Sequence, residues 1–190
     1  MSFESLERMP LAETQDRISR LRSHMGELCP EASGMLVFSR LAIYHLSGAW
    51  ASGALWVPAC GEPVLLCRKG VERAVLDSPL ERILEFKSSS QLPALLREAD
   101  APLGDTAAVE MTGLSWSMGE LLRSKLPGVA LVPGDTALAW TRAVKTEWEL
   151  AKLRLAGMRH DQALNDTLPG LIHPGMTERE IALAVWDAFY

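Results

Sequence analysis

Apolar residues recur at two different spacings along this chain, and together the spacings predict a layered α/β fold. Near the start, apolar positions three or four residues apart predict an amphipathic helix that Pro30 terminates; they are Ile18, Leu21, Met25 and Leu28. Short apolar runs then predict strands at Met35–Phe38, Leu55–Val57, Val64–Cys67, Arg82–Phe86, Ala107–Glu110 and Val129–Val132. We therefore expect a sheet of about six strands flanked by helices.

The connections between the runs indicate how the strands are arranged. The segment Pro58–Pro63 can continue neither flanking strand, so it predicts a hairpin and hence a mixed rather than a purely parallel sheet. Helices are predicted at 70–77, at 92–99 and around Leu114–Leu122. We expect this first domain to span residues 1–135 and a linker to follow at 136–145.

Two capping signatures open the helices that follow. Thr146–Glu149 and Thr177–Glu180 each place a threonine three residues before a glutamate, so that each side chain can bond the other residue's backbone N–H. They predict helices at about 146–168 and 177–190, and Pro169 should end or kink the first. The apolar positions expected to be buried are Trp148, Ala151, Leu155 and Met158 in the first helix and Ile181, Val185 and Phe189 in the second.

The last helical pattern stops at Tyr190 with no glycine, asparagine or proline to close it. We interpret residues 146–190 as the start of a further domain that is truncated here.

Composition and charge limit the ligands and the cellular locations that fit this chain. The net charge of −5 provides no basic surface for nucleic acid, and no apolar run is long enough to span a membrane. The first residues lack the positive charge of a signal peptide. Cys29, Cys60 and Cys67 form no C-x-x-C pair, which disfavours zinc and favours a reduced, cytoplasmic protein.

Several residues invite a catalytic or metal-binding interpretation that their spacing does not favour. Asp161 and Asp166 are five apart and do not share a helix face, so we interpret them as solvated surface, together with His160, His173 and Glu178. Ser115 lacks the second glycine of a nucleophile elbow and is better interpreted as a helix N-cap. His45 is expected to be a partly buried histidine.

An ordered series of motifs resembles one family of enzymes. The series consists of Tyr44-His-Leu-Ser-Gly48, the hairpin Trp56–Leu66, Leu121–Gly128, Arg142-x-x-Lys145-Thr-x-x-Glu149 and Pro174-Gly-Met-Thr-Glu-x-Glu-Ile181. It resembles the creatinase, aminopeptidase P and prolidase family of pita-bread metallopeptidases and their relatives. Two positions depart from the family pattern: Arg40 stands where asparagine is frequent, and Ala49-Trp50 where phenylalanine commonly follows the glycine.

The resemblance implies both a fold and a function. The fold would be an α/β mixed-sheet domain of the creatinase/prolidase N-terminal type, followed by the first helices of a truncated pita-bread (α+β) domain. The function would be the N-terminal portion of a metal-dependent Xaa-Pro aminopeptidase or dipeptidase that acts on peptides. The domain would serve oligomerisation, as in a homo-oligomer, and cap the active site.

The resemblance also implies where the chemistry lies. Family enzymes hold two divalent metal ions, such as manganese, with two Asp, one His and two Glu, all of which would follow Tyr190. This chain is therefore expected to contain no catalytic, cofactor-binding or metal-binding residue and to be inactive alone.

Six tryptophans include one candidate site residue. Trp56 and Trp148 fall on core positions of a strand and a helix. Trp50 lies in the loop Ser47–Gly53, which in family enzymes reaches a neighbouring subunit's active site. It is thus a candidate for the rim of that substrate pocket in trans, and a loop or core anchor is the alternative.

Two alternatives to the peptidase fragment remain open. The chain could be a stand-alone, non-catalytic interaction or dimerisation module. It could also be a fragment of a creatinase-like amidinohydrolase, since fold does not determine chemistry.

Overall fold

A computed structural model describes residues 7–189 and divides them into two compact units, one of residues 7–144 and one from residue 145 onward. The helices are α1 (Leu11–Leu28), α2 (Arg40–Ser47), α3 (Val71–Asp77), α4 (Leu92–Glu98), α5 (Trp116–Lys125), α6 (Asp135–Ala143), α7 (Glu147–Gln162), α8 (Leu168–Leu171) and α9 (Glu178–Phe189). The strands are β1 (Gly34–Val37), β2 (Ser52–Pro58), β3 (Val64–Lys69), β4 (Arg82–Glu85), β5 (Thr106–Val109) and β6 (Ala130–Pro133).

The first unit is built on one six-stranded mixed sheet of order β4-β3-β2-β1-β5-β6. The strands β1 and β2, and β2 and β3, pair antiparallel, whereas the pairs β1–β5, β3–β4 and β5–β6 are parallel. The antiparallel β2–β3 pair needs only a short turn, but each parallel pair needs a crossover, and helices provide it. The predicted hairpin and the predicted mixed sheet are both confirmed.

Alternating side chains of the sheet supply two separate cores. On β2, Leu55 and Val57 pack into the core on one face, beneath α1, α2 and α6. Trp56 points to the opposite face, toward α4 and α5, and is fully buried as predicted. Burying one such large apolar side chain contributes about 1.5–3 kcal/mol to folding. The Trp56 ring also explains Gly34, because a Cβ atom there would lie 2.6 Å from the ring.

The segment predicted to be a linker, 136–145, is mostly helical. Its residues from 136 to 143 belong to α6, which packs against α1 and buries Ala137, Leu138 and Thr141. The first compact unit therefore extends to Val144 rather than to residue 135. Contact with α1 stabilises this short helix.

The second unit begins with the first predicted capping box. The Thr146 hydroxyl accepts a hydrogen bond from the Glu149 N–H at 3.1 Å, and the Glu149 carboxylate accepts one from the Thr146 N–H at 3.0 Å. After α7 the chain forms a π-helical turn at Ala163–Thr167 and then α8, whose first turn contains Pro169. The wider turn accommodates the missing N–H of proline, so Pro169 modifies the helix without ending it.

The second capping box is also confirmed, at the start of α9. The Thr177 N–H donates to the Glu180 carboxylate at 2.7 Å, and the Thr177 hydroxyl accepts from the Glu180 N–H at 3.3 Å. No described residue of α9 is buried, and the largest exposed apolar side chains of this helix are Leu183, Trp186 and Phe189.

The prediction of which apolar residues are buried in α7 and α9 is only partly correct. Trp148 is buried, whereas Met158 is 69% exposed and Phe189 is 42% exposed. Ile181 and Val185 are half-buried. The predictions about the chain end at Tyr190 and about a signal sequence in residues 1–6 lie outside the described residues. Among the helices that the structure describes, none has the length and apolar character needed to cross a bilayer.

Candidate functional site

Hydrogen bonds hold the backbone that leads into the loop carrying Trp50. Helix α2 stops at Gly48, whose φ of 76° is left-handed, and the Gly48 N–H donates to the Tyr44 carbonyl at 2.9 Å. The hydroxyl of Ser47 then accepts a hydrogen bond from the Ala49 N–H at 3.2 Å. These contacts fix the backbone immediately before Trp50.

Trp50 points outward because its two neighbours point inward. Ala49 and Ala51 are buried, whereas the Trp50 side chain is 60% exposed. Its ring meets that of Tyr44 edge-on, with 6.2 Å between ring centroids and 65° between the planes. Trp50 is thus exposed, and its role at the rim of a pocket stays a prediction.

Positive charge lies on one side of Trp50. An open cavity of about 430 Å³ there is lined by Arg40, Trp50, Ser52, Arg68, Lys69 and Gly70. The Arg68 guanidinium also lies over the Phe86 ring, 5.5 Å from its centroid. Within residues 7–189, no carboxylate forms an ion pair with Arg40 or Lys69. An aromatic face beside unpaired cations suits a ligand with a carboxylate and an apolar part.

The other side of Trp50 is polar and mixed in charge. A cavity of about 300 Å³ is lined by Glu7, Arg8, Tyr44, Gly48, Trp50, Arg73 and Asp77. Arg73 and Asp77 form an ion pair with 2.7 Å between Nε and Oδ2. The Trp50 indole therefore lies between two cavities. One is lined by cationic side chains, and the other contains the Arg73–Asp77 ion pair.

A buried carboxylate that sequence reasoning missed anchors the helix before this loop. Glu110 follows β5 and is 4% exposed. It accepts hydrogen bonds from the backbone N–H groups of Phe38 and Ser39, each at 2.8 Å, and from the Ser39 hydroxyl at 2.5 Å. Ser39 in turn caps α2 by accepting from the Ala42 N–H at 3.2 Å. Glu110 therefore fixes the start of the helix that ends at the Trp50 loop.

A second carboxylate holds the loop that follows Glu110. Asp135 accepts hydrogen bonds from the Met111 N–H at 3.0 Å, the Thr112 N–H at 2.8 Å and the Thr112 hydroxyl at 2.5 Å. Burial raises the pKa of Asp135, but the hydrogen bonds from Thr112 and Met111 outweigh it and lower that pKa overall. The ionised form of Asp135 is therefore the one that holds the loop.

His45 lies in a structural network and is buried, where the sequence predicts a partly buried histidine. It is 7% exposed, and its Nδ1 atom is 3.2 Å from Nη1 of Arg17. The same Arg17 nitrogen donates to the His45 carbonyl at 2.7 Å, and Arg17 Nε donates to Glu13 at 2.6 Å. These contacts bind α1 to α2 within the first unit.

His160 and Asp161, two of the residues considered for metal binding, make local helix contacts. The Nδ1 atom of His160 lies 3.1 Å from the Ala156 carbonyl, and Asp161 accepts a hydrogen bond from Asn165 at 2.7 Å. Across residues 7–189, no group of three or more His, Cys, Asp or Glu side chains is placed to hold a metal ion. The two metals that the resemblance implies do not fit the donors in this part of the chain.

The remaining predicted residues have structural roles. The Ser115 hydroxyl accepts from the Met118 N–H at 3.3 Å, which confirms that it caps α5. Trp148 is buried, with the Lys152 ammonium 4.4 Å from its ring centroid.

Comparison with known proteins agrees with this architecture. The Creatinase/Prolidase N-terminal domain family model matches residues 17–144. A curated protein of Sinorhizobium fredii, the uncharacterized hydrolase/peptidase y4tM, is 26% identical over 121 residues, which are 58% of this chain and 31% of the relative.

Solved structures of similar fold include three named peptidases. An Xaa-Pro dipeptidase from Bacillus anthracis has a TM-score of 0.75 at 18% identity, covering 93% of this chain and 48% of its own. The prolidase from Pyrococcus furiosus has a TM-score of 0.72 at 23% identity, covering 90% and 51% respectively. For the X-Pro aminopeptidase from Thermotoga maritima MSB8 the TM-score is 0.70 at 21% identity, with coverage of 84% and 46%.

This chain spans about half the length of those structures and about a third of the curated relative. The matched model covers most of the first compact unit, including every strand of the sheet. The chain therefore belongs to the creatinase/prolidase N-terminal domain family.

Proposed function

We propose that this chain is the N-terminal portion of a metal-dependent Xaa-Pro aminopeptidase or dipeptidase. Its first unit would serve oligomerisation and cover the active site of a neighbouring subunit. Family membership supports this proposal, as do the peptidase names of the solved structures that share the fold. Residues from 146 onward would begin the catalytic domain of the parent protein.

The exposed Trp50 is the observation that carries this proposal. A large aromatic side chain that is 60% exposed on a loop fixed by hydrogen bonds is suited to contact a ligand or a second subunit. Arg40 and Lys69 beside it add unpaired positive charge. Together they suit the rim of a pocket that receives a short peptide, whose free carboxylate the cations would attract.

The chemistry itself would reside in the remainder of the parent. The two divalent metals, such as manganese, and their Asp, Asp, His, Glu and Glu ligands would lie there. Three free cysteines, two of them buried, accord with a reduced and cytoplasmic setting.

One observation favours a second candidate function. Helix α9 buries none of its described residues and exposes Trp186 at 60%. That surface would also suit a stand-alone module that binds a partner without catalysis.

The parent protein tests the peptidase proposal. We expect purified parent loaded with Mn²⁺ to hydrolyse Xaa-Pro peptides. The Trp50→Ala variant should change KM or kcat while its melting temperature stays close to that of the wild type. Trp140→Ala is a matched control, since Trp140 is also exposed, at 59%, but lies on α6. A large loss of stability in Trp50→Ala with unchanged kinetics per folded molecule would contradict the rim role.

The isolated chain gives an independent test. Calorimetric titration with Mn²⁺, Co²⁺ and Zn²⁺ should show no stoichiometric site, and Xaa-Pro peptides should remain uncleaved. A metal site of micromolar affinity that Asp161→Ala or Asp166→Ala abolishes would favour a different function.

A further inference from the structure

The cationic cavity beside Trp50 lies at the carboxyl ends of two strands. β1 and β3 each pair antiparallel with β2, so they run in the same direction and end on the same side of the sheet. Arg40 follows β1, and Arg68 and Lys69 are the last two residues of β3. The cavity of about 430 Å³ that these cations line falls within the size range of small-molecule sites, which are frequent at the carboxyl ends of strands.

A register shift in the sheet brings two consecutive cations to this cavity. On β3, Lys69 pairs with Ser52 of β2. Two residues earlier, Cys67 pairs with Gly53, the residue directly after Ser52, so Arg68 is an extra residue between the two pairs. Neighbouring side chains of a regular strand point to opposite faces, and a β-bulge redirects them. The bulge explains why Arg68 and Lys69 both line the cavity although they are adjacent in the sequence.

Glycine at position 53 is required by this bulge. A Cβ atom on Gly53 would lie 1.8 Å from the carbonyl oxygen of Leu66, far closer than two such atoms can approach. The glycine therefore permits the backbones of β2 and β3 to come close together directly beside the cavity. Bulges are frequent next to functional sites, where they change the direction of a side chain.

The cavity carries more positive charge than one carboxylate can compensate. Among residues 7–189, Arg40, Arg68 and Lys69 take part in none of the ion pairs. One guanidinium can bond both oxygens of a carboxylate, so a ligand with a single carboxylate leaves other cations uncompensated. Like charges in one cavity repel each other, and a second negative group on the ligand relieves this repulsion.

We propose that this cavity selects Xaa-Pro peptides that carry an acidic residue directly after the proline. This inference rests on the proposed peptidase function and adds the class of substrate. The prolyl ring would lie against the exposed indole of Trp50, and the acidic side chain and the C-terminal carboxylate would contact Arg40, Arg68 and Lys69. An Xaa-Pro-Glu tripeptide has both carboxylates beyond the cleaved bond, whereas an Xaa-Pro dipeptide has only one.

Steady-state kinetics of the Mn²⁺-loaded parent test this selectivity. Ala-Pro-Glu and Ala-Pro-Gln have nearly the same shape and differ by one negative charge. We expect kcat/KM to be at least about fivefold higher for Ala-Pro-Glu. Lys69→Glu should abolish or reverse this preference. Lys125→Glu is the matched control, because Lys125 is also exposed and gives the same change in net charge but lies on α5, and it should leave the preference unchanged.

Binding to the isolated 190-residue chain gives a readout that needs no catalysis. NMR titration with Pro-Glu or Pro-Gln follows the indole N–H signal of Trp50, which Trp50→Phe identifies. We expect a dissociation constant on the order of 1 mM for Pro-Glu and one at least about fivefold larger for Pro-Gln. Added salt should weaken Pro-Glu binding, because salt screens exposed charges. Circular dichroism checks that every variant folds.

The possible failures are distinguishable. Equal kcat/KM values for the two tripeptides would overturn this inference and leave the peptidase function standing, whereas cleavage of neither would contradict the peptidase function and the inferred substrate class with it. A preference that Lys125→Glu lowers as much as Lys69→Glu would attribute the selectivity to net charge instead of this cavity. Inorganic phosphate that binds the isolated chain as tightly as Pro-Glu would show a site for any anion, which also overturns the inference.

Discussion

Glu110 and Ser39 are joined by two hydrogen bonds, one from the Ser39 N–H at 2.8 Å and one from its hydroxyl at 2.5 Å. Glu110 follows one strand and Ser39 precedes helix α2, so this contact connects the sheet to the helix that ends at the Trp50 loop. The buried carboxylate also accepts a hydrogen bond from the Phe38 N–H at 2.8 Å. It therefore acts as a positioning residue for α2.

Replacing Glu110 with glutamine should destabilise the first unit. The amide is neutral, and its NH₂ group would face donors instead of accepting from them. We expect the free energy of unfolding to fall by about 1.5–3 kcal/mol, the range for a hydrogen bond to a charged group. Urea denaturation measures it, and Glu98→Gln on the exposed surface is the control. Equal stability of the two variants would show that the Glu110 contacts are dispensable.

The same substitution should affect stability far more at Trp56 than at Trp50. Trp56→Ala removes a fully buried ring and leaves a cavity, so we expect a loss of about 3–5 kcal/mol. Trp50→Ala removes an exposed ring and should change stability by about 0.5 kcal/mol or less. Chemical denaturation of both variants measures the difference. A loss above about 2 kcal/mol for Trp50→Ala would mean that the loop packs inward in solution.

The lowered pKa of Asp135 predicts a dependence of stability on pH. The folded pKa lies below the ordinary value of about 3.9, so ionised Asp135 stabilises the fold above that value. This stabilisation is lost as pH falls from about 4 through the folded pKa. At pH 6 we expect Asp135→Asn to melt about 2–4 °C below the wild type, as for the loss of one hydrogen bond.

That gap between the two melting temperatures should narrow as pH falls below about 4, because the wild-type carboxyl then becomes protonated. Thermal unfolding at a series of pH values tests it. If the difference in melting temperature stayed constant down to about pH 2, the effect of Asp135→Asn would come from the shape of the side chain instead of its charge.

Helix α9 should exchange its amide hydrogens much faster than the sheet. None of its described residues is buried, whereas Leu55 and its neighbours in β2 are fully buried. Exchange rates follow local opening, which is easy where few apolar contacts must be broken. We expect the amides of Ile181 and Val185 to exchange within minutes in a dilute monomeric sample while that of Leu55 stays protected. Equal protection at both places would contradict this.

Most of the fold was predictable because short apolar runs mark strands that are buried on both faces. The run around Leu36 and the hairpin around Pro58–Pro63 both appear where the sequence indicates. Helix α6 was missed because Pro133 and Gly134 resemble the start of a loop. The helix buries few apolar side chains, Ala137 and Leu138 among them, and its contact with α1 stabilises it.

The site was predictable only in part, for a different physical reason. Exposure of Trp50 follows from local glycines and small neighbours. The contact between Glu110 and Ser39 spans 71 positions, and no local pattern links an acid at a strand end to a distant helix cap. The fold also brings Arg40 and Lys69 close to Trp50, and the spacing of these residues in the sequence does not predict that they lie together.

The order of the strands also limits how copies of this chain can associate. Both edge strands of the sheet, β4 and β6, have only four residues. β4 carries Arg82 and Glu85 at its two ends, and β6 ends at Pro133, which lacks a backbone donor. Short, charged or proline-containing edges resist the addition of a further strand. Continuous sheets that run from one copy into the next, and the fibres that grow from them, are therefore disfavoured in this unit.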